Sequence, residues 1–258
     1  QGALVPALAQ PDSDLSFAAV VGATAVPFAV GTDGKVYASA ALGSAVMVRS
    51  STAFASVETG PDFAALGSTH TLIYATRVAE GYVAVLSKDP IFGSPGAWSN
   101  YDAGGEIWSS TSFATGWAKV QDIGRTQGLA ISRPAVDPVT GATVLLVGEY
   151  SQTVGVTHHL WCSLDGGQTW DIVLSPVAVN GAANNHFHGS AFDPVKRRIW
   201  TAHGDGLNAY MAYSDDLGAT WTASPGKGIL PTTSSYHQPV LVQPTRAGIA
   251  TTPDGSVG

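Results

Sequence analysis

Cysteine is almost missing from this chain. Cys162 is the only one in 258 residues, so no disulfide can form within it. Flanked by Trp161 and Ser163, it reads as a small buried hydrophobe in a strand rather than a nucleophile. Charge is scarce as well: Asp, Glu, Lys and Arg make up 12% of the residues, about half the usual share of roughly 25%. That excludes a coiled coil or a long surface helix, which need Glu, Lys and Arg. Positive charge is scarcer still, with 12 Lys and Arg against 19 Asp and Glu and a net charge of −7. The longest basic run is Lys196-Arg197-Arg198, too little for a reader of nucleic-acid backbones. Long apolar runs are missing too. The longest, from Leu15 to Val30, is broken by Gly22, Thr24 and Pro27 and is shorter than the roughly 20 residues of a membrane span. No Lys or Arg precedes Lys35, so we do not expect the first residues given to form a signal peptide. The first residue is Gln1, which leads us to expect a processed chain or a segment of a longer one.

What is present in quantity is turn-forming and apolar: 30 Gly, 15 Pro and a hydrophobic fraction of 45%. Disorder is excluded, because it requires low hydrophobicity with high charge. The length suits one large all-β domain or two small ones.

The chain repeats itself. Ser163-Leu164-Asp165-Gly166-Gly167-Gln168-Thr169-Trp170 reads S-x-D-x-G-x-T-W, and so does Ser214-Asp215-Asp216-Leu217-Gly218-Ala219-Thr220-Trp221. The flanks repeat also: Ala135-Val136-Asp137-Pro138-Val139 is echoed by Ala191-Phe192-Asp193-Pro194-Val195, and more weakly by Leu241-Val242-Gln243-Pro244-Thr245. Asp33-Gly34 and Asp254-Gly255 stand between apolar runs, a strong hairpin signal. Ser87-Lys88-Asp89, with Gly93 and Trp98 after it, reads as a decayed third copy. A unit of about 50 residues holding several short strands is a propeller blade. We place the units at 17–66, 67–125, 126–180, 181–230 and 231 onward, with residues 1–16 as a linker or closing strand and 17–258 as the propeller domain. The last unit stops short, so an incomplete ring within the chain is expected.

In unit 126–180 the strands are expected at 128–136, 143–148, 156–163 and 170–174, which puts the motif in the turn between strands three and four. There Asp165 accepts hydrogen bonds from its own loop, Gly167 takes positive φ without a Cβ clash, and Trp170 wedges between strands. Asp216, Gly218 and Trp221 repeat this one unit on, with the hydroxyls of Ser163, Thr169, Ser214 and Thr220 bridging the two loops. The chemistry is that of a scaffold, not of catalysis.

These residues resemble the bacterial neuraminidase repeat, or Asp box, of sialidase-like β-propellers. A narrower resemblance follows. His186-Phe187-His188-Gly189, Asp193-Pro194, Arg198-Ile199-Trp200, Gly204-Asp205-Gly206 and the motif ending in Trp221 are similar, in this order, to a stretch of tail proteins from phages of actinobacteria. This implies a virion tail-tip or fibre subunit, extracellular and homo-oligomeric, that meets other tail subunits and a host cell-wall glycan. The sialidase resemblance would further imply three arginines around a substrate carboxylate, a Tyr–Glu pair and an Asp acid. Here Arg133 alone fits, with Arg125 near it, and no catalytic residue is assigned.

In a propeller, strand one of each blade lines the channel, and its start shares one face with the turn between strands two and three. This places His186, His188, His203, Asp205, His237, Gln238 and Arg133 near one mouth as ligand-binding candidates. His186 and His188, at i and i+2, share one side of a strand and with His203 form a weak metal set. The other readings are contacts to sugar hydroxyls or a polar network filling the channel. No cofactor is expected. His158 and His159 occupy opposite faces of a strand and make a poor joint ligand. Trp98, Trp108 and Trp117 lie in a Gly/Ser/Thr-rich stretch, either exposed for a glycan or covering the core.

Overall fold

The computed structural model describes residues 26–41, 43–50, 56–88, 104–150, 157–175, 186–204, 210–223, 240–241 and 251–252. Every described element is a strand. Four antiparallel sheets follow one another along the chain. The first comprises β1 (Val26–Val30), β2 (Val36–Ser39), β3 (Val46–Ser50) and β4 (Val57–Asp62). The second comprises β5 (Thr71–Arg77), β6 (Tyr82–Ser87), β7 (Gly105–Ser110) and β8 (Ala118–Ile123). The third comprises β9 (Thr126–Ile131), β10 (Ala135–Val136), β11 (Thr143–Glu149), β12 (Leu160–Ser163) and β13 (Asp171–Leu174). The fourth comprises β14 (Phe187–Asp193), β15 (Arg198–His203), β16 (Tyr210–Ser214) and β17 (Thr222–Ala223), and a pair, β18 (Val240–Leu241) with β19 (Thr251–Thr252), ends the described chain. Within each large sheet the strand order is the sequence order, as in a meander.

Each large sheet lies inside one sequence unit. In the third sheet the innermost strand is interrupted between β9 and β10, where Pro134 has no N–H to give. Ser132 bridges the gap: its N–H donates to the Leu146 carbonyl at 2.9 Å, and its Oγ accepts from the Leu146 N–H at 2.8 Å. The third strand starts at Leu160, later than the expected 156. The hairpin expected at Asp33-Gly34 is present, with Gly34 at φ 72° and its N–H bonded to the Gly31 carbonyl at 2.9 Å. The matching turn at Asp254-Gly255 lies outside the described residues.

The core is three seams rather than one centre. Side chains alternate across a strand, and here successive residues serve different neighbours. On β6, Tyr82, Ala84 and Leu86 join Tyr37, Met47, Phe63, Trp108 and Trp117 between the first and second sheets. Val83 and Val85 of the same strand join Ile131, Leu145, Val147 and Trp170 between the second and third. On β11, Val144 and Leu146 turn the other way and pack with Leu160, Phe187 and Ile199 between the third and fourth. Sheets stacked face to face in series are the blades that the repeat predicts. Trp108 and Trp117 are therefore buried core and offer no exposed aromatic surface. Trp98 lies outside the described residues.

The two repeat turns sit between strands three and four, as expected, and build the same network. Asp165 accepts from the Gln168 N–H at 3.0 Å, the Thr169 N–H at 2.9 Å, the Thr169 hydroxyl at 2.6 Å and the Ser163 hydroxyl at 2.8 Å. Asp216 accepts from the Thr220 N–H at 2.8 Å, the Thr220 hydroxyl at 2.6 Å and the Ser214 hydroxyl at 2.7 Å. The N–H of Gly167 and that of Gly218 each donate to the motif serine at 2.7 Å. Gly167 and Gly218 have φ 89° and 100°. A Cβ at Gly167 would overlap Val83, and one at Gly218 would overlap Val173, each on the preceding sheet.

The third copy is not where the sequence suggested. Ser87 ends β6, a second strand, so the turn after it is the wrong one. The three-to-four turn of the second sheet runs from Ser110 to Trp117, spaced as Ser163 is from Trp170, with Ser112 in place of the aspartate. Ser110 Oγ accepts from the Ser112 N–H at 3.0 Å, and the Trp117 indole donates to the Phe113 carbonyl at 3.0 Å. Every large sheet ends its third strand on a buried serine: Ser50, Ser110, Ser163 and Ser214.

Candidate functional site

Antiparallel pairing brings the start of the first strand and the end of the second to one end of each sheet. In the third sheet the Tyr150 N–H donates to the Arg125 carbonyl at 2.6 Å, and in the fourth the Gly204 N–H donates to the His186 carbonyl at 3.0 Å. Arg125 and His186 are thus equivalent, as are Tyr150 and Gly204. Gly148 lets the two sheets close at this end, because a Cβ there would stand 2.5 Å from that of Phe187.

Across this seam the side chains form a ring cluster. The Tyr150 ring lies 4.2 Å from that of His186 and 5.6 Å from that of His188. His186 and His188 are 4.6 Å apart, so their i, i+2 spacing does put them together. His158 meets His186 edge-on at 6.1 Å, and His203 lies 5.4 Å from Phe187. All four histidines and Tyr150 are buried, His203 completely. Where the sequence reading placed these histidines near a channel mouth, the described residues form a packed seam. Burial pulls the His203 imidazole down to about 3, and the neighbouring His188 and His186 lower it further. Burial likewise pulls His158 down to about 4, with His186 and His159 adding to the shift. Among the described residues no group of three or more His, Cys, Asp or Glu side chains is placed to hold a metal ion.

Glu149, beside Tyr150 at the end of β11, ties the chain entering β9 to the chain entering β12. Its carboxylate accepts from the Gly124 N–H at 2.6 Å, the Trp161 indole at 2.7 Å and the His159 N–H at 2.9 Å. Tyr150, Glu149 and His158 were not among the sequence candidates. The positional rule that selected His203 at the end of one second strand selects Glu149 and Tyr150 at the end of the previous one. His158 was set aside because His158 and His159 point opposite ways; that divergence is what sends His158 into the cluster and His159 toward Trp161, 6.3 Å away.

Arg133 is not part of it. It is exposed on the stretch between β9 and β10, and its charge bears on Tyr74 of the second sheet, away from the fourth. Asp205, His237 and Gln238 lie outside the described residues. Four other arginines among the described residues are engaged elsewhere. Arg49 and Lys35 hold Glu58, Arg77 lies 3.8 Å from Asp33, Arg197 forks onto Asp137 with both contacts at 2.9 Å, and Arg198 forks onto Asp215. Arg125 alone is buried at the end of the third sheet that carries the cluster. A second carboxylate, Glu106, is buried nearer the first seam. Burial raises its carboxyl, but hydrogen bonds from Ser68 at 2.6 Å and the Trp108 indole at 2.9 Å, with the charges of His70 and Lys119, outweigh this and hold it below the usual range.

No family model matches the chain, and no curated protein matches it by sequence. Solved structures do. A Hadza microbial sialidase superposes with a TM-score of 0.50 at 13% identity, covering 86% of this chain and 50% of that one. An α-L-arabinanase from Penicillium chrysogenum, solved with arabinobiose, also superposes with a TM-score of 0.50 at 13% identity, covering 90% of this chain and 76% of that one. The chain thus spans about half the length of the sialidase. The fold is a sialidase-like β-propeller.

Proposed function

We propose that this sialidase-like β-propeller is a carbohydrate-recognition module of a phage tail, binding a host cell-wall glycan without cleaving it. The observation that carries the reading is the cluster of Tyr150, His186 and His188 at the end of the sheets where first strands begin. These rings are buried, so their part is to hold in place the strand ends and turns at this end of the sheets, the rim at which sugar hydroxyls would be met by side-chain and backbone donors and acceptors. The two structural neighbours act on glycans, which supports a carbohydrate role. The ordered phage-tail motifs, from His186 to Trp221, fill the fourth sheet and support the virion setting, with other tail subunits and copies of the chain as partners.

Cleavage finds less support among the described residues. An arginine cluster of the sialidase kind would need forks free for a carboxylate, and Arg197 and Arg198 spend theirs on aspartates. Glu149 is saturated by three N–H donors.

A glycan array on the purified chain, followed by a turnover assay on each hit, tests the reading. Hits on cell-wall glycans without turnover are expected, with at least tenfold weaker binding in Tyr150→Ala. An empty array, or released sugar, would overturn it.

A further inference from the structure

We propose that Glu106, Lys119 and Asp122, on the second sheet, form a separate carbohydrate subsite for a neutral sugar that presents adjacent hydroxyls. Glu106 shares its strand face with Trp108, which lies in the seam between the first and second sheets. The subsite belongs to the same end of the sheets as Tyr150 and His186 but to a different seam, and it stands or falls independently of them.

Local structure assembles it. The chain enters β7 through Gly104 and Gly105. A Cβ at Gly104 would stand 2.6 Å from the Ile123 carbonyl oxygen, and one at Gly105 would stand 2.8 Å from that of Leu86. The start of β7 is thus pressed between β6 and β8, and Glu106 carries its first side chain. Glu106 pairs with Asp122 and Trp108 pairs with Lys119, with a register shift between Ile107 and Trp108. Lys119 and Asp122 are three residues apart and would point to opposite faces of a regular strand. The bulge takes up Val120 and re-aims them to one face, where the Lys119 amine donates to Asp122 Oδ1 at 2.7 Å.

The three groups are complementary to a hydroxyl. Glu106 spends Oε2 on the Ser68 hydroxyl and the Trp108 indole. Its Oε1 accepts no hydrogen bond from the described residues. It faces the Lys119 amine at 3.6 Å and His70 Nδ1 at 3.8 Å, both too long for a hydrogen bond. Ser68 fixes His70 there, because its Oγ accepts from the His70 N–H at 3.1 Å. An ammonium only donates and a carboxylate only accepts, whereas a hydroxyl does both. One sugar hydroxyl can therefore donate to Glu106 Oε1 and accept from Lys119. Its neighbour on the ring meets Asp122 Oδ2, which accepts from none of the described residues. An anionic ligand would meet two carboxylates, and a cationic one would meet Lys119. The Lys119 and Asp122 side chains are 39% and 75% exposed, so the subsite opens to solvent over a buried Glu106.

Titration of the intact chain with glucose, galactose, mannose and rhamnose, followed by NMR, tests the subsite. The Trp108 indole N–H is the reporter, since it is bonded to Glu106. At least one sugar should shift this signal saturably. The amino and uronic acid derivatives of that sugar should bind about tenfold more weakly or worse. Lys119→Met keeps the exposed stem and should weaken binding by about tenfold, the loss of one charged hydrogen bond, with the urea midpoint unchanged. Should it fail to fold, Asp122→Asn, at a more exposed position, should show a loss in the same direction. Tyr150→Ala should leave the sugar shift as it is. No saturable shift with any of the sugars, a charged derivative that binds as well as the neutral one, or a folded Lys119→Met that binds like the parent would each overturn the subsite. Array hits kept in Tyr150→Ala and lost in Lys119→Met would refute the reading centred on Tyr150 and support the subsite. The reverse pattern, with no shift at Trp108, refutes the subsite and keeps that reading.

Discussion

The indole nitrogen of Trp221 donates to the carbonyl of Val173, one sheet back, at 2.7 Å, and also to the Gly218 carbonyl of its own turn at 3.1 Å. One side chain thus closes a turn and staples two blades. Trp221→Phe keeps most of the apolar area and removes the donor. It should cost about 1–2 kcal/mol, the usual effect of stranding a partly buried acceptor, with a lower urea midpoint and an unchanged m-value.

The turn aspartates should matter for folding rather than for binding. Asp165→Ala strands two N–H groups and two hydroxyls, a loss of about 1–3 kcal/mol. Asp216→Ala should lower the melting temperature in the same direction. The two turns lie in separate sheets, so the effects should add in the double variant. Melting curves measure both, and array affinity should be unchanged in the folded fraction. A variant that melts like the parent but no longer binds would move the turns into the site.

Two glycines with similar φ should respond very differently. Gly141, at φ 74°, has nothing within 4 Å of an added Cβ, so Gly141→Ala pays only backbone strain, about 1 kcal/mol. Gly167, at φ 89°, faces Val83 at overlapping distance. Gly167→Ala adds overpacking of about 1–3 kcal/mol to the same strain. Paired urea melts compare them; equal losses would mean that the seam yields to the methyl group.

The Arg197 fork pulls the Asp137 carboxyl down to about 2. A depressed carboxyl stabilises the fold above its unfolded value and loses that contribution as pH falls through the folded one. Acid unfolding below pH 4 should therefore be shallower in Arg197→Gln than in the parent. Stability measured from pH 5 to 2 checks this, and parallel curves would contradict it.

Cys162 is buried, and burial pushes its thiol up to about 12. A disulfide reagent at pH 8 should label it only through opening, at a rate that tracks urea concentration rather than reagent pKa.

Repetition made much of the fold legible in advance. The S-x-D-x-G-x-T-W spacing located two turns and, through them, the strand order of the third and fourth sheets. The second sheet's turn escaped because only Ser110 and Trp117 match the motif there, with Ser112 in place of the aspartate, Ala114 in place of the glycine and Gly116 in place of the threonine. The site was half legible. Position along the blade selected His186, His188 and His203, but not Tyr150, whose equivalent in the next blade is Gly204 and so shows no chemical likeness. Burial was the other blind spot: position along the blade says nothing of packing depth, whereas Gly148 lets Phe187 approach and closes the seam. For Trp108 and Trp117 the sequence left exposure and core as alternatives, and their burial decides for the core.

Because β6 and β11 each give one face to the sheet before and the other to the sheet after, no sheet possesses a core of its own. The blades behave like the stones of an arch: each is held by its neighbours. Excising the second or third blade would strip two seams at once and leave two raw apolar faces that never evolved to meet, whereas lengthening the turn at Gly141, where an added Cβ has nothing within 4 Å, touches no seam. An insertion at such a turn tip is therefore the cheaper change, and new specificity can be added there without renegotiating the fold.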